Sequence, residues 1–170
     1  DSKSEDYIFI SSYSSLTTEF QYIKSDEPLS DFKYFQKRIR GLEYSISHFE
    51  DSFYVFTNDG AAENYKIMKT PVTQTERSNW VDFVEHRPHV LLEDLEIFKE
   101  YMVITERENG LSKIRIRSWD QKKDFYLPIK GETYTLYPST NVNFNTTKLR
   151  YVFNSLISPS SVREYDMLSG

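Results

Sequence analysis

Short apolar runs recur along the chain, each followed by a turn and a second run in which apolar and polar positions alternate. The first runs are Tyr7-Ile8-Phe9-Ile10, Phe53-Tyr54-Val55-Phe56, Tyr101-Met102-Val103-Ile104 and Arg150-Tyr151-Val152-Phe153. Aligning Tyr7, Tyr54, Met102 and Tyr151 gives steps of 47, 48 and 49 residues. The second runs keep nearly the same step: Phe20-Gln21-Tyr22-Ile23, Tyr65-Lys66-Ile67-Met68, Ile114-Arg115-Ile116-Arg117 and Val162-Arg163-Glu164-Tyr165. In the third of these, Ile114 and Ile116 alternate with Lys113, Arg115 and Arg117, which is the period of a half-buried strand and does not fit a helix.

Turn chemistry agrees with the strand pattern. Asn109-Gly110 lies between runs 101–107 and 111–117, and Asn-Gly suits the two positive-φ positions of a tight type I′ hairpin. Asp59-Gly60 is expected to act similarly in a longer loop. Further strands are predicted upstream of the apolar runs, at Leu42–His48 and Leu91–Phe98, and downstream, at Phe32–Phe35, Trp80–Val84 and Asp124–Leu127. A four-stranded antiparallel sheet repeated every ~40–50 residues is the arithmetic of a β-propeller blade, since one such sheet buries both faces only by stacking on neighbours.

The expected fold is therefore all-β: a partial β-propeller of about three and a half four-stranded antiparallel blades, with blade segments 7–38, 42–86, 91–129 and 134–166. Such a piece leaves blade faces and strand edges uncovered. Together with the absence of an initiator Met, this predicts that the 170 residues are cut from a longer ring and that the isolated piece self-associates.

Composition narrows the class. The aromatic share is 16%, with 13 Tyr and 12 Phe, which suits inter-blade packing and excludes a disordered or collagen-like chain. No apolar run approaches the ~20 residues of a membrane-spanning helix, and Asp1–Asp6 is no export signal, so no membrane partner is expected. The formal net charge is −5 and the basic residues are dispersed, which disfavours nucleic acid as a partner. Zero Cys removes disulfides, thiolate metal sites and thiol catalysis, and fits a reducing compartment.

Several segments in this order and spacing resemble the N-terminal propeller of the prolyl oligopeptidase family of serine peptidases, in particular its oligopeptidase B (protease II) branch. They are Glu43–His48 with Phe53–Asn58 and Asn64, His86-Arg87-Pro88 leading into Leu91-Leu92-Glu93, Tyr101–Arg107 with Gly110-Leu111, and Leu149-Arg150-Tyr151 with Ser158-Pro159. The resemblance implies a seven-bladed propeller capping a C-terminal α/β-hydrolase domain, which in that branch cleaves short peptides after Lys or Arg. It implies that this chain is the C-terminal half of the propeller, ending before the hydrolase domain, in a cytoplasmic enzyme. No Gly-x-Ser-x-Gly nucleophile elbow occurs around the five glycines. No catalytic, cofactor-binding or metal-binding residue is therefore assigned, no cofactor is expected, and peptidase chemistry is ascribed to the parent.

The remaining constellations are weighed against plainer roles. His86-Arg87-Pro88-His89 with Glu85 and Glu93 has the side chains of a metal site, but Pro88 disfavours a helix that would align the two imidazoles, and a connection between blades is the better reading. His48, near Asp51 and several serines, has triad components without evidence of triad geometry. Lys113, Arg115 and Arg117 read as a solvated outward face. Glu93, Asp94 and Glu96, near an inner strand, are candidates for acidic groups along the substrate channel that attract cationic peptides. The rival to an access-controlling enzyme segment is a propeller module that binds or scaffolds partners without catalysis.

Overall fold

The computed structural model describes residues 1–131 and 133–170. Apart from one 3-10 turn at Arg77–Asn79, the regular elements of the described residues are strands, arranged in antiparallel sheets of three, four, four and three. The all-β, partial-propeller architecture expected from the period is the one observed. No helix of the described residues is long and apolar enough to cross a membrane.

The chain divides into two compact units, Asp1–Pro88 and His89–Gly170. In the first, β1 (Tyr7–Ser14), β2 (Thr17–Lys24) and β3 (Lys33–Gln36) form one sheet, and β4 (Tyr44–Phe49), β5 (Ser52–Thr57), β6 (Lys66–Pro71) and β7 (Val81–Val84) form the other. Their facing side chains make an aromatic core that includes Tyr7, Phe20, Phe35, Tyr44 and Trp80. Phe53 lies at its centre, fully buried, with ring centroids of Tyr7, Phe35, His48 and Tyr22 at 4.9, 5.1, 5.3 and 5.6 Å. These separations are those of edge-to-face aromatic packing, which adds to the benefit of burial alone.

In the second unit, β8 (Val90–Ile97), β9 (Tyr101–Glu108), β10 (Leu111–Ser118) and β11 (Asp124–Tyr126) form a four-stranded sheet. It is followed by the sheet of β12 (Tyr134–Pro138), β13 (Lys148–Ser155) and β14 (Ser158–Asp166). The core here is more aliphatic: Val103, Ile114 and Ile116 from one sheet meet Leu136, Leu149 and Phe153 from the other. The alternation seen in the sequence of β10 is thus a burial alternation, with Ile114 and Ile116 fully buried.

The turns follow the expected chemistry with one shift. Glu108 pairs with Leu111, and between them Asn109 and Gly110 have φ of 51° and 80°, the two left-handed positions of a tight hairpin. In the longer loop after β5 the left-handed pair is Gly60 and Ala61, one residue later than expected, with φ of 68° and 61°. Tyr65 also turns left-handed, so β6 begins at Lys66; the Tyr65 ring stacks on Phe56 at 4.9 Å and its hydroxyl donates to Glu43 at 2.9 Å.

Candidate functional site

Strand β8 carries the three acids singled out from the sequence, and a β-bulge decides where they point. Leu92 pairs with Glu106 but Asp94 pairs with Thr105, leaving Glu93 as the extra residue. The bulge reverses the alternation: Leu92 is buried, whereas Asp94 and Glu96 share the other face, opposite Thr105 and Val103. Glu93 accepts a hydrogen bond from Arg107 Nε at 2.7 Å, so a neighbouring cation compensates its charge. Asp94 Oδ1 accepts the Leu95 N–H at 2.8 Å. Glu96 Oε2 accepts from Asn141 Nδ2 at 3.1 Å, and Asn141 Oδ1 takes the Arg150 N–H at 2.7 Å, which ties Glu96 to the unit's other sheet. The Thr105 hydroxyl, opposite Asp94, is buried and has no hydrogen-bond partner among the described residues.

The basic stripe on β10 is not a solvated face. Arg115 makes two 2.7 Å hydrogen bonds to the Asp124 carboxylate and lies 3.6 Å from Glu106. Arg117 is 3.8 Å from Asp124, and Lys113 is paired with Glu108. Glu106 is fully buried and accepts a hydrogen bond from the Tyr126 hydroxyl at 2.8 Å. The expectation failed because cross-strand acids sit within reach, and a buried carboxylate is retained only when cations and donors surround it.

His48 packs in the aromatic core with a 4.5 Å contact to the Tyr7 ring, and burial holds its imidazole below the usual histidine range. Its Nδ1 is 2.8 Å from Ser4 Oγ and 3.4 Å from Asp6 Oδ2. A Ser, a His and an Asp are therefore brought together, but the hydroxyl and the carboxylate crowd one ring nitrogen. A proton relay needs them on opposite nitrogens, so this cluster is no nucleophilic triad. His86 Nε2 accepts the Asn64 N–H at 3.4 Å, and Asn64 Nδ2 donates to the Pro88 carbonyl at 2.7 Å, a set of contacts that fixes the end of the first unit. Among the described residues no three His, Cys, Asp or Glu side chains are grouped to hold a metal.

Sequence reasoning missed the clefts of the first unit. One of about 590 Å3 is bordered by Gln36, Asp59 and Arg77, where Arg77 is paired with Asp59 and its N–H bonds to Gln36. Two others, of about 560 and 350 Å3, adjoin at Tyr7 and Lys24. The only linear hint is the aromatic spacing of Tyr7 and Tyr22, which the strand pattern already explains.

Known proteins give a consistent comparison. The profile of the prolyl oligopeptidase N-terminal beta-propeller domain matches residues 1–170. Dipeptidyl aminopeptidase BI of Pseudoxanthomonas mexicana is 31% identical over 169 residues, covering 99% of this chain and 23% of that protein. Protease 2 of Moraxella lacunata is 28% identical over 177 residues, covering 99% of this chain and 24% of that protein. The chain thus spans about a quarter of the length of these curated relatives. Oligopeptidase B from Trypanosoma brucei, in a closed form with covalently bound antipain, superposes with a TM-score of 0.92 at 21% identity, over 99% of this chain and 25% of that one.

Proposed function

This chain belongs to the prolyl oligopeptidase N-terminal β-propeller family, and on that premise we propose that it is the C-terminal half of a propeller that limits access of short peptides to a serine-peptidase domain of the same polypeptide. The observation that carries the reading is the match of the whole chain, residues 1–170, to that domain. Relatives named as a dipeptidyl aminopeptidase and a protease support peptide hydrolysis in the parent. The resemblance to oligopeptidase B supports cleavage after Lys or Arg, a cytoplasmic location and a hydrolase domain C-terminal to residue 170. The contribution of this segment is a filter that admits oligopeptides and excludes folded proteins.

Asp94 and Glu96 are proposed to attract cationic peptides along the passage. Glu93, compensated by Arg107, contributes less. The isolated 170-residue piece is proposed to self-associate through its uncovered edges and apolar side chains.

The test is the natural gene product carrying these residues, sized by immunoblot and assayed with an Arg-Arg fluorogenic peptide. A band several times larger than a 170-residue chain, with cleavage blocked by a serine-directed inhibitor, supports the reading. A band of the fragment's size without cleavage overturns it in favour of a binding or scaffolding module.

A further inference from the structure

The β13–β14 hairpin of the second unit ends in two aliphatic side chains that lie almost wholly in solvent: Leu156 and Ile157 are 92% and 97% exposed. They make up the whole of a two-residue turn, since Ser155 pairs with Ser158. Turn tips favour Gly, Asn and Asp, and the matching turn of the unit's other sheet is Asn109-Gly110. Neither Leu156 nor Ile157 is left-handed, so the backbone makes no demand that selects them. The tip is also held in direction. Between the pairs Phe153–Ser161 and Ser155–Ser158, β14 carries one extra residue, a bulge that includes Pro159, which has no N–H to give to the ladder. Adjacent aliphatic side chains on a fixed hairpin have the character of a contact surface.

A further blade does not cover them, because blades stack through their sheet faces and not at their strand ends. Residues 101–106 of β9 are buried, yet Asn109 and Gly110 at its hairpin end stay exposed. The body that covers Leu156 and Ile157 therefore approaches along the strands, at the hairpin end of the sheet. The course of the chain points to the same end. β14 starts beside the tip and runs away from it to Asp166, which pairs with Lys148. In the preceding sheet the fourth strand, β11, runs back towards the hairpin end: Asp124 pairs with Arg117, Tyr126 with Arg115, and the Leu127 N–H bonds to the Ile114 carbonyl at 2.8 Å. A step of 49 residues beyond β11 falls past Gly170. A fourth strand at that step brings the polypeptide back to the end that carries Leu156 and Ile157. About three quarters of the length of the curated relatives lies outside the matched segment.

We propose that Leu156 and Ile157 form a docking tip for the peptidase domain of the same polypeptide, which sits at the hairpin end of the blades and receives the two side chains in an apolar recess. The proposal rests on the peptidase reading for the existence of that domain; it adds which end of the blades the domain covers and which side chains anchor it. Contacts between domains of one chain are modest in area and leave relative motion as the default. Burying two aliphatic side chains at such a contact shifts the balance towards the docked arrangement, and a polar tip leaves the domains freer to part.

The test is photo-crosslinking in the full gene product carrying Leu156→p-benzoyl-phenylalanine. The expected product is an intramolecular link from position 156 to a peptide of the peptidase domain, identified by mass spectrometry in the monomer band. A second measurement uses Leu156→Gln combined with Ile157→Gln; both positions are exposed, so the packing of the blade is kept. Limited trypsin cleavage between the two domains, which follows the population of the parted state, is expected to accelerate roughly tenfold or more in this variant. A link only to a second copy, a link only within the propeller, or no link overturns the proposal, and so does unchanged cleavage in the double variant. Neither readout needs turnover, so failure of the peptidase reading appears separately, as absence of peptide hydrolysis by the unsubstituted protein.

Discussion

The Tyr44 hydroxyl accepts the Phe20 N–H at 3.0 Å and donates to the Gln36 carbonyl at 3.1 Å, bridging the point where β2 and β3 slip by one residue. A side chain from the neighbouring sheet thereby replaces the ladder hydrogen bonds that the bulge removes. Tyr44→Phe keeps the ring packing and orphans a buried N–H, which costs about 1–3 kcal/mol. Urea denaturation is the check, and wild-type stability in the variant would overturn this account. Burial also pushes the Tyr44 phenol up to about 12. A raised phenol contributes stability that is complete below the unfolded value near about 10 and is lost as pH rises towards the folded value. Absorbance titration should therefore show Tyr44 ionising after the exposed tyrosines, in step with unfolding.

Gly110 isolates the conformational demand of the β9–β10 hairpin. Its φ is 80°, and a Cβ there would meet nothing within 4 Å. Gly110→Ala introduces no clash with neighbouring residues, so its expected destabilisation of about 1–2 kcal/mol is the intrinsic penalty of a left-handed L-residue. Semisynthesis with D-Ala at the same position should restore stability; equal loss with both enantiomers would refute the turn assignment.

His48 makes the first unit acid-sensitive. Burial depresses its protonation, while the Glu50 backbone, Asp6 and Asp51 oppose the shift without cancelling it. A depressed histidine gives full stability above its unfolded value near about 6.5 and progressively less as pH falls below it. His48→Gln keeps a polar partner for Ser4 and cannot take up a proton. Its urea midpoint should fall less than that of wild type between about pH 7.5 and 5.5. Parallel pH profiles for the two proteins would rule out His48 as the origin.

The acids of β8 separate by partner. In the full gene product, Asp94→Asn combined with Glu96→Gln should raise KM for Arg-containing peptides a few-fold and flatten its dependence on salt. Glu93→Gln should do less, because Arg107 already compensates that charge at 2.7 Å. An unchanged KM and salt slope in the double variant would remove these residues from substrate attraction.

Uncovered surface predicts association of the 170-residue piece. β1 and β14 are edge strands, and Leu156, Ile157 and Val162 are 92%, 97% and 65% exposed. Free edges beside apolar side chains promote pairing between chains. Sedimentation velocity should show mass increasing with concentration; a monomer at every concentration would contradict the prediction.

The linear pattern of residues determined the strands, their period of 47 to 49 residues, the Asn109-Gly110 turn and the membership of a propeller family. These features are local or periodic: alternation and turn chemistry act between neighbours, and a repeat of one blade's length carries the architecture with it. Tertiary structure alone decided which polar groups meet. Strict alternation would put Leu92, Asp94 and Glu96 on one face, and the bulge at Glu93 separates the buried Leu92 from the two acids. Arg115 finds Glu106 and Asp124 only through cross-strand register, and Tyr44 finds Phe20 across two sheets. A one-residue slip moves every following side chain to the opposite face, so contacts that depend on register were settled by packing in three dimensions.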